Sequence, residues 1–329
     1  MRKLVLLALL MLLLPITTAP SAKADDILSG LALTDTELEL TEGERFNINI
    51  NNKVKGSTYF WYTWDWDVVE VNPKNGYVTA LKEGEAEIRC RVNYKGITKI
   101  LKCLVKVEKP EFFKHGYMAH AGGGYEGNIY SNTEEAIRNS IDNGYKFIEV
   151  DMTLTSDDKL VVSHGWNKNT CEATGIEYTD GKAPTYNEFM SWKIHGKYDT
   201  IDASTVIEIM KEYPDLLVEV DLKKHRARRT KIMIEQLVEL ADYDEQILDR
   251  ILMQFTSEEA FFAIEEVYSF KYYQYFTYKS RIKDELEDVI DFCKENKITS
   301  VAVNYNVLTD EMINRIKEEN FYLLAFTID

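Results

Sequence analysis

The sequence is poor in residue types that would place it in several classes of protein. It has only 4 cysteines in 329 residues, too few for a fold held mainly by disulfides, and no Cys-x-x-Cys spacing typical of a zinc site. With only 6 prolines, it is not a low-complexity linker. Basic residues number 39 against 55 acidic ones, a formal charge of −16. This excess argues against a nucleic-acid-binding protein, which needs clustered lysine and arginine.

The amino-terminal segment has the layout of a targeting signal. Two basic residues follow Met1, an apolar run occupies residues 4–14, and small residues at 22 and 24 precede an acidic pair. This order predicts a secretory signal peptide over residues 1–24. A membrane anchor is the alternative, but neither this run nor any later stretch reaches the roughly 18 apolar residues that span a bilayer. We therefore expect a protein that is secreted or at the cell surface, with no membrane segment after cleavage.

Export would place the cysteines in an oxidising compartment, where disulfides persist. Cys90 and Cys103 lie on adjacent strand-like runs and could bridge a hairpin; the other two are Cys171 and Cys293. Four cysteines allow three complete pairings, and small buried thiols explain them at least as well. The sequence leaves this choice open.

Residues 27–109 consist of short runs with period-two alternation, separated by turn signals. The pattern predicts an all-β sandwich domain, which ends where Pro110 favours an extended link. Within it, alternation places Trp64 and Trp66 on one face of a strand and Trp61 on the other. Packing in the core is favoured for this cluster over a platform for carbohydrate.

This first region resembles the bacterial Ig-like group 2 family. The resemblance lies in the tryptophan-rich strand and in the segments VEV at 69–71, NGYVTA at 75–80 and EGEA at 83–86. It implies a spacer or adhesion unit, which we expect to contact the cell surface or a polysaccharide.

Residues 112–329 alternate strand-like with helix-like runs. The strand-like runs are YMAHAG, KFIEVDM, LLVEVDLK, RILMQF, YYQYFTY, SVAVNY and YLLAFTID. This alternation predicts parallel βαβ units and indicates an α/β barrel of the TIM type. A closed barrel has eight strands, so the eighth is missing from this count. Either the sequence is truncated or another element covers the gap.

Acidic residues fall on the second and third of these strands. Glu149 and Asp151 are two residues apart and therefore share one face, and Asp221 occupies a similar place on the next strand. Carboxylates crowded on a covered strand are costly without a cation. Oxygen ligands of this kind suit Mg²⁺ or Ca²⁺ better than zinc.

Two histidines and a lysine complete this set at the strand ends, where barrel active sites lie. His120 ends the first strand, His164 follows a short apolar run, and Lys223 follows Asp221. A lone histidine is more often a core residue, and a carboxylate pair more often a solvated face. Their coincidence at strand ends favours acid–base chemistry on a phosphate ester.

The segment from Met118 to Trp166 resembles the opening of the glycerophosphodiester phosphodiesterase family. The family frame has His-x-Gly, Asn-Thr before a helix, Glu-x-Asp, Thr-x-Asp and Val-Val-x-His. It is filled here by His120, Asn132, Thr133, Ala136, Gly144, Glu149, Asp151, Thr155, Asp157 and His164. The third-strand motif is matched by Asp221, in place of the commoner Glu, and by Lys223. The departures are Ala121 for Arg, Ser131 for Glu and Gly165 for Asp.

The resemblance implies that Glu149, Asp151 and Asp221 hold one divalent cation, Ca²⁺ or Mg²⁺. His120 and His164 would act as base and acid, and Lys223 would stabilise phosphoryl charge. The expected substrate is a small glycerophosphodiester or a lipid head group, cleaved to an alcohol and glycerol 3-phosphate.

Two other functions remain open. One is a phospholipase-D-like enzyme acting on choline lipids, which shares the histidine and Glu-x-Asp arrangement. The other is a non-catalytic surface or adhesion protein, which the Ala121 departure and the missing strand favour.

Overall fold

The computed structural model describes residues 24–223 and 226–326. The predicted signal peptide lies outside these residues, apart from its last position. The chain divides into two compact units between Lys109 and Pro110. Among the described residues, no helix is both long and apolar enough to cross a bilayer.

The first unit is rich in β-strands. Its elements are α1 Ala24–Ser29, β1 Ala32–Leu33, β2 Glu37–Thr41, β3 Arg45–Asn47, β4 Ile50–Asn51, β5 Thr58–Thr63, β6 Val69–Val71, β7 Tyr77–Ala80, β8 Gly84–Tyr94 and β9 Ile97–Glu108. The strands form sheets of order β2-β9-β8-β5, β3-β7-β6 and β1-β4. The assignment to the Ig-like family stays a prediction.

One apolar core joins the two larger sheets of this unit. Inward side chains from both sheets, including Trp61, Val78 and Ile88, belong to one buried cluster. Gly76 makes the turn before β7 with φ +74°, and a side chain there would lie 2.6 Å from the Ile48 carbonyl and 2.7 Å from the Trp61 ring. The turn predicted at this position therefore requires glycine for both its conformation and its space.

The tryptophan cluster is split between core and surface. Trp61 is 3% exposed, whereas Trp64 is 68% and Trp66 73% exposed. The prediction of core packing is therefore confirmed for Trp61 and wrong for Trp64 and Trp66. The physical reason is that β5 ends at Thr63, so they lie in the following turn rather than on the buried strand.

The cysteines are buried free thiols. In the β8–β9 hairpin Cys90 pairs with Leu101 and Cys103 pairs with Ile88, so the two thiols are diagonal neighbours. Diagonal neighbours lie roughly 7–8 Å apart, beyond the roughly 4.4–6.8 Å that separates the Cα atoms of a disulfide. Burial raises the pKa of Cys90 and of Cys103 to about 11.

The second unit alternates strands and helices. Its strands are β10 Phe147–Leu154, β11 Leu160–Val162, β12 Lys193–Ile194, β13 Tyr198–Asp199, β14 Leu217–Leu222, β15 Ile251–Phe255, β16 Tyr272–Thr277, β17 Ser300–Asn304 and β18 Tyr322–Phe326. Its helices are α2 Glu134–Asp142, α3 Lys168–Thr174, α4 Tyr186–Met190, α5 Ala203–Glu212, α6 Ala227–Leu240, α7 Glu245–Leu248, α8 Glu258–Glu265, α9 Lys279–Asp284, α10 Leu286–Asn296 and α11 Asp310–Glu318. Single 3-10 turns lie at Glu111–Lys114, His120–Gly122 and Tyr305–Val307.

The main sheet of this unit has the order β11-β10-β14-β15-β16-β17-β18. All its pairings are parallel except β10 with β11. The first predicted strand, YMAHAG, is wrong as a strand: within it Ala119 alone bridges to Ile148, because the chain then turns at His120–Gly122. In the part of the chain that the structure describes, no strand closes the sheet between β18 and Ala119.

Polar caps start the helices directly after the strand loops. The side chains of Thr133, Asp202, Ser257 and Thr309 accept a hydrogen bond from a backbone N–H in the first turn of α2, α5, α8 and α11. Each cap satisfies a donor that the helix leaves unpaired.

An aromatic plug fills the opposite end of the barrel. Phe112 is 1% exposed, and its ring centroid lies 5.3 Å from both the Phe147 and Tyr272 rings. Phe113 stacks on Tyr322 at 3.9 Å. The turn at Glu111–Lys114 therefore ties strands from both sides of the barrel together.

We expect Phe112→Ala to lower the free energy of unfolding of the second unit by about 3–5 kcal/mol, because it removes a buried aromatic ring and leaves a cavity. Phe262→Ala, at a residue 50% exposed on α8, is the control and should cost less than half as much. Denaturant unfolding followed by near-ultraviolet circular dichroism measures both. Equal losses in the two variants would contradict the role of the plug.

Candidate active site

Three carboxylates from neighbouring strands converge inside the barrel. β10 and β14 pair with Glu149 opposite Glu219 and Asp151 opposite Asp221, so these side chains point to the same side of the sheet. One oxygen each from Glu149, Asp151 and Asp221 lie within 4.8 Å of one another. The structure thus brings together the three residues predicted as metal ligands.

Burial makes this cluster costly unless positive charge offsets it. Asp151 is fully buried, and Glu149 is 3% exposed. Burial raises the pKa of Glu149 well above its usual value, and the charges of Asp151 and Asp221 raise it further. Burial also acts to raise the pKa of Asp151. The opposing effects, of which the positive charge of Lys223 is the largest, outweigh burial and lower this pKa.

Lys223 supplies the positive charge within the cluster. Its Nζ lies 2.6 Å from Asp151 Oδ1 and also contacts the Asp221 carboxylate. Burial acts to lower the pKa of Lys223, but the carboxylates around it outweigh burial and raise it. The ammonium group therefore stays charged at neutral pH.

Two loop residues hold the carboxylates in place. The backbone N–H of Ala121 donates to Glu149 Oε2 at 2.6 Å. Asn132 Nδ2 donates to Asp151 Oδ2 at 2.8 Å, and the Asp151 N–H donates back to Asn132 Oδ1 at 3.1 Å. Both residues are left-handed, with φ +50° and +49°. The Asn-Thr motif marked Asn132 in the sequence, but its bonds to Asp151 were not predicted.

The two predicted histidines lie beside this cluster. His120 Nε2 is 3.7 Å from Glu149 Oε2. His164 lies near enough that a positive charge on it would lower the pKa of both Asp151 and His120, and its Nδ1 lies 3.2 Å from Thr170 Oγ1. Partial removal from water by the surrounding protein lowers the pKa of the half-exposed His120 from its ordinary value, although nearby carboxylates oppose the shift.

The residues present fit a divalent cation. Three carboxylate oxygens at this spacing carry more negative charge than Lys223 offsets, and two of the side chains are cut off from water. Hard oxygen donors of this kind are the ligands that Mg²⁺ and Ca²⁺ take in proteins. The set offers neither thiolate nor imidazole among its three convergent atoms, which argues against zinc.

A fourth carboxyl, from Glu219, lies next to this cluster and was given no role in the prediction. Glu219 is 2% exposed, and its Oε1 accepts from Gln274 Nε2 at 2.9 Å. Burial, and then the charge of Asp221, raise its pKa to about 8. Glu219 is therefore neutral over most of the physiological range. Its place two residues before Asp221 on one strand face was the signal available in the sequence.

A barrel-like βα domain with clustered carboxylates, a lysine and two histidines at its strand ends has the parts of a phosphoric diester hydrolase. Residues 123–329 match the model of the Glycerophosphoryl diester phosphodiesterase family, and the chain belongs to that family. The match begins just after His120 and includes the other predicted site residues. No curated protein matches the chain.

Solved structures share the fold of the second unit. A candidate glycerophosphodiester phosphodiesterase from Galdieria sulphuraria is 18% identical, with a TM-score of 0.53 over 63% of this chain and 82% of its own. An Oleispira antarctica phosphodiesterase in complex with the product sn-glycerol-3-phosphate is 17% identical, with a TM-score of 0.51 over 64% and 84%. A glycerophosphodiester phosphodiesterase from Parabacteroides distasonis is 16% identical, with a TM-score of 0.51 over 64% and 83%. This similarity of fold confirms that the second unit is a barrel-like domain of the TIM type, as predicted.

We expect Glu219→Gln to stabilise the metal-free protein at alkaline pH. A carboxyl whose pKa rises on folding from its ordinary 4.5 to about 8 favours the unfolded state increasingly as pH climbs through that interval. The variant should therefore gain a few kcal/mol over the parent at pH 8.5 and about none at pH 5. Denaturant unfolding in chelator measures this, with the exposed Glu177→Gln as control. A gain that is the same at both pH values would contradict the expectation.

Proposed function

We propose that this chain is an exported phosphodiesterase, dependent on a divalent cation, that hydrolyses glycerophosphodiesters to an alcohol and glycerol 3-phosphate. The observation that carries the proposal is the cluster of Glu149, Asp151 and Asp221, whose oxygens lie within 4.8 Å of one another. Lys223 and the two histidines lie beside it. Family membership supports the reaction class, and the fold is shared with a phosphodiesterase that holds sn-glycerol-3-phosphate.

Glu149, Asp151 and Asp221 would hold the cation. When bound, it would act as a Lewis acid toward phosphoryl oxygens and offset the charge that builds up on them. Lys223 carries a fixed positive charge at the same place. It would stabilise the additional negative charge on the phosphoryl group in the transition state.

The histidines would move the protons. Because the pKa of His120 is lowered, its imidazole is neutral near pH 7 and can accept the proton of the attacking hydroxyl, from water or from the glycerol itself. The new P–O bond forms as the bond to the alcohol breaks. His164, when protonated, would donate its proton to the departing alkoxide. Attack by the glycerol hydroxyl gives a cyclic phosphate, which water then opens.

We expect Asp151→Asn to weaken cation binding and activity together. The substitution removes a buried charged ligand while keeping its shape, so Ca²⁺ or Mg²⁺ affinity should fall at least tenfold. Isothermal titration with each metal measures binding, and release of glycerol 3-phosphate from a glycerophosphodiester measures turnover. Exposed Asp215→Asn is the control. Full activity in excess chelator would contradict the dependence on a cation.

We expect His120→Ala to lower kcat by at least a hundredfold, because a general base contributes about 10²–10⁴, while the cation still binds. A substrate panel that also contains choline lysolipids identifies the substrate. Activity on lysolipids alone would favour the phospholipase-D-like alternative. No hydrolysis by a parent protein that binds the cation would favour the non-catalytic one.

We also propose that the first unit contacts a cell-surface polysaccharide. Three aromatic side chains, Phe60, Tyr62 and Trp64, form a row along β5 and the turn after it, with ring centroids 6.1 and 5.7 Å apart. Arg91 lies 5.4 Å above the Phe60 ring. Exposed rings of this kind offer apolar faces for sugar rings, and the guanidinium group offers hydrogen bonds or charge to anionic substituents.

We expect Trp64→Ala to weaken binding of the full chain to a purified bacterial wall polysaccharide by at least fivefold, because it removes the most exposed ring of the row. Affinity electrophoresis measures the change. Tyr117→Ala, at an exposed tyrosine of the second unit, is the control. Equal retardation of parent and variant would contradict this contact.

A further inference from the structure

A single tyrosine ring lies against both histidines of the candidate site. The centroid of the Tyr130 ring is 4.7 Å from that of His120 and 6.1 Å from that of His164. The interplanar angles are 80° and 81°, so both contacts are edge-to-face. Such pairs have a preferred geometry and a stabilising energy beyond the area they bury. The ring can therefore restrict the orientation of both imidazoles at once.

The loop that carries Tyr130 is anchored at its tip. Tyr125 and Asn128 exchange backbone hydrogen bonds of 2.9 Å. The Glu126 carboxylate accepts from the Tyr198 hydroxyl and from Lys197. These contacts tie the tip to the β12–β13 hairpin.

The root of the same loop is anchored as well. The Asn132 N–H donates to the Ala121 carbonyl at 3.0 Å, which fixes the far end of the loop beside the carboxylate cluster. Tyr130 itself has φ +61°. A tyrosine pays a conformational cost to adopt this left-handed backbone, and such strain persists only where the surroundings hold it.

His120 has little else to fix the direction of its ring. Its side chain is 52% exposed. The distance from its Nε2 to Glu149 Oε2 is 3.7 Å, which is too long for a hydrogen bond. Among the described residues, the His164 ring has a polar contact with Thr170. Because proton transfer depends on the placement of the ring nitrogens, a shift of about 1 Å can cost about a hundredfold in rate.

We propose that Tyr130 is a positioning residue whose ring, rather than its hydroxyl, holds the imidazoles of His120 and His164 in their working orientation. The proposal rests on the proposed phosphodiesterase function. It adds a residue that the sequence motifs did not mark, next to Ser131, where the resemblance has glutamate.

The kinetic test compares Tyr130→Phe with Tyr130→Ala, with Tyr145→Ala at an exposed tyrosine as control. We expect the Phe variant and the control to keep kcat and KM within about twofold. The Ala variant should lose about 10- to 100-fold in kcat with KM nearly unchanged. An equal loss in the Phe variant would assign the effect to the hydroxyl and overturn the proposal, as would full kcat in the Ala variant.

A second measurement does not depend on activity. The chain has 5 histidines, so the Cε1–H signals of labelled histidines can be assigned from His120→Ala and His164→Ala. Loss of the ring current in Tyr130→Ala should move both signals, whereas Tyr130→Phe should leave them in place. Unmoved signals in the Ala variant would overturn the proposal.

The kinetic and the spectroscopic measurements together distinguish a failure of the proposed phosphodiesterase function from a failure of the proposed role of Tyr130. If the parent lacks phosphodiesterase activity, the proposed function fails, while the signal shifts still decide the role of the ring. Isothermal titration with Ca²⁺ should give equal affinity for the parent and Tyr130→Ala, because the ring is not a ligand. Should the Ala variant fail to fold, Tyr130→Leu keeps the apolar bulk without the aromatic ring and is expected to show the same loss of kcat.

Discussion

The central constraint on this protein is the crowding of negative charge on two adjacent parallel strands. The register of β10 with β14 places Asp151 beside Asp221, and Glu149 shares the same face. Side chains in this position are removed from water, so each carboxylate needs positive charge or hydrogen-bond donors close by. Lys223, Asn132 and the Ala121 N–H provide them. The remaining excess of negative charge is what a divalent cation would neutralise.

The surrounding loops serve this arrangement through their backbones. Ala121 stands where the sequence resemblance leads us to expect arginine, and its side chain offers no charge to a phosphate. Its N–H nevertheless holds Glu149 from a left-handed conformation. The departure thus removes a guanidinium from the site while keeping the support of the carboxylate.

The two units of the chain bury their apolar side chains in different arrangements. The first buries the inward faces of its sheets around Trp61 and leaves Trp64 and Trp66 in solvent. The second closes one end of its barrel with Phe112 and keeps polar groups at the other. Separating the apolar plug from the polar strand ends lets one set of strands carry both a core and a site. Burial raises the pKa of Glu219 to about 8, so this interior carboxyl stays neutral at pH 7.

Local patterns were enough to predict the strand–helix alternation and the position of Glu149 and Asp151 on one face of a strand. These features depend on residues a few positions apart, whose geometry is set by the period of a helix or strand. The first strand was predicted wrongly because an apolar run of six residues does not reveal whether another strand will form a hydrogen-bonded ladder with it. The exposure of Trp64, the hydrogen bonds of Asn132 and the contacts of the Tyr130 ring depended on tertiary structure. The contacts of Asn132 and Tyr130 join segments that are distant in sequence, and the exposure of Trp64 follows from where a strand ends. Both are decided only when the whole chain packs.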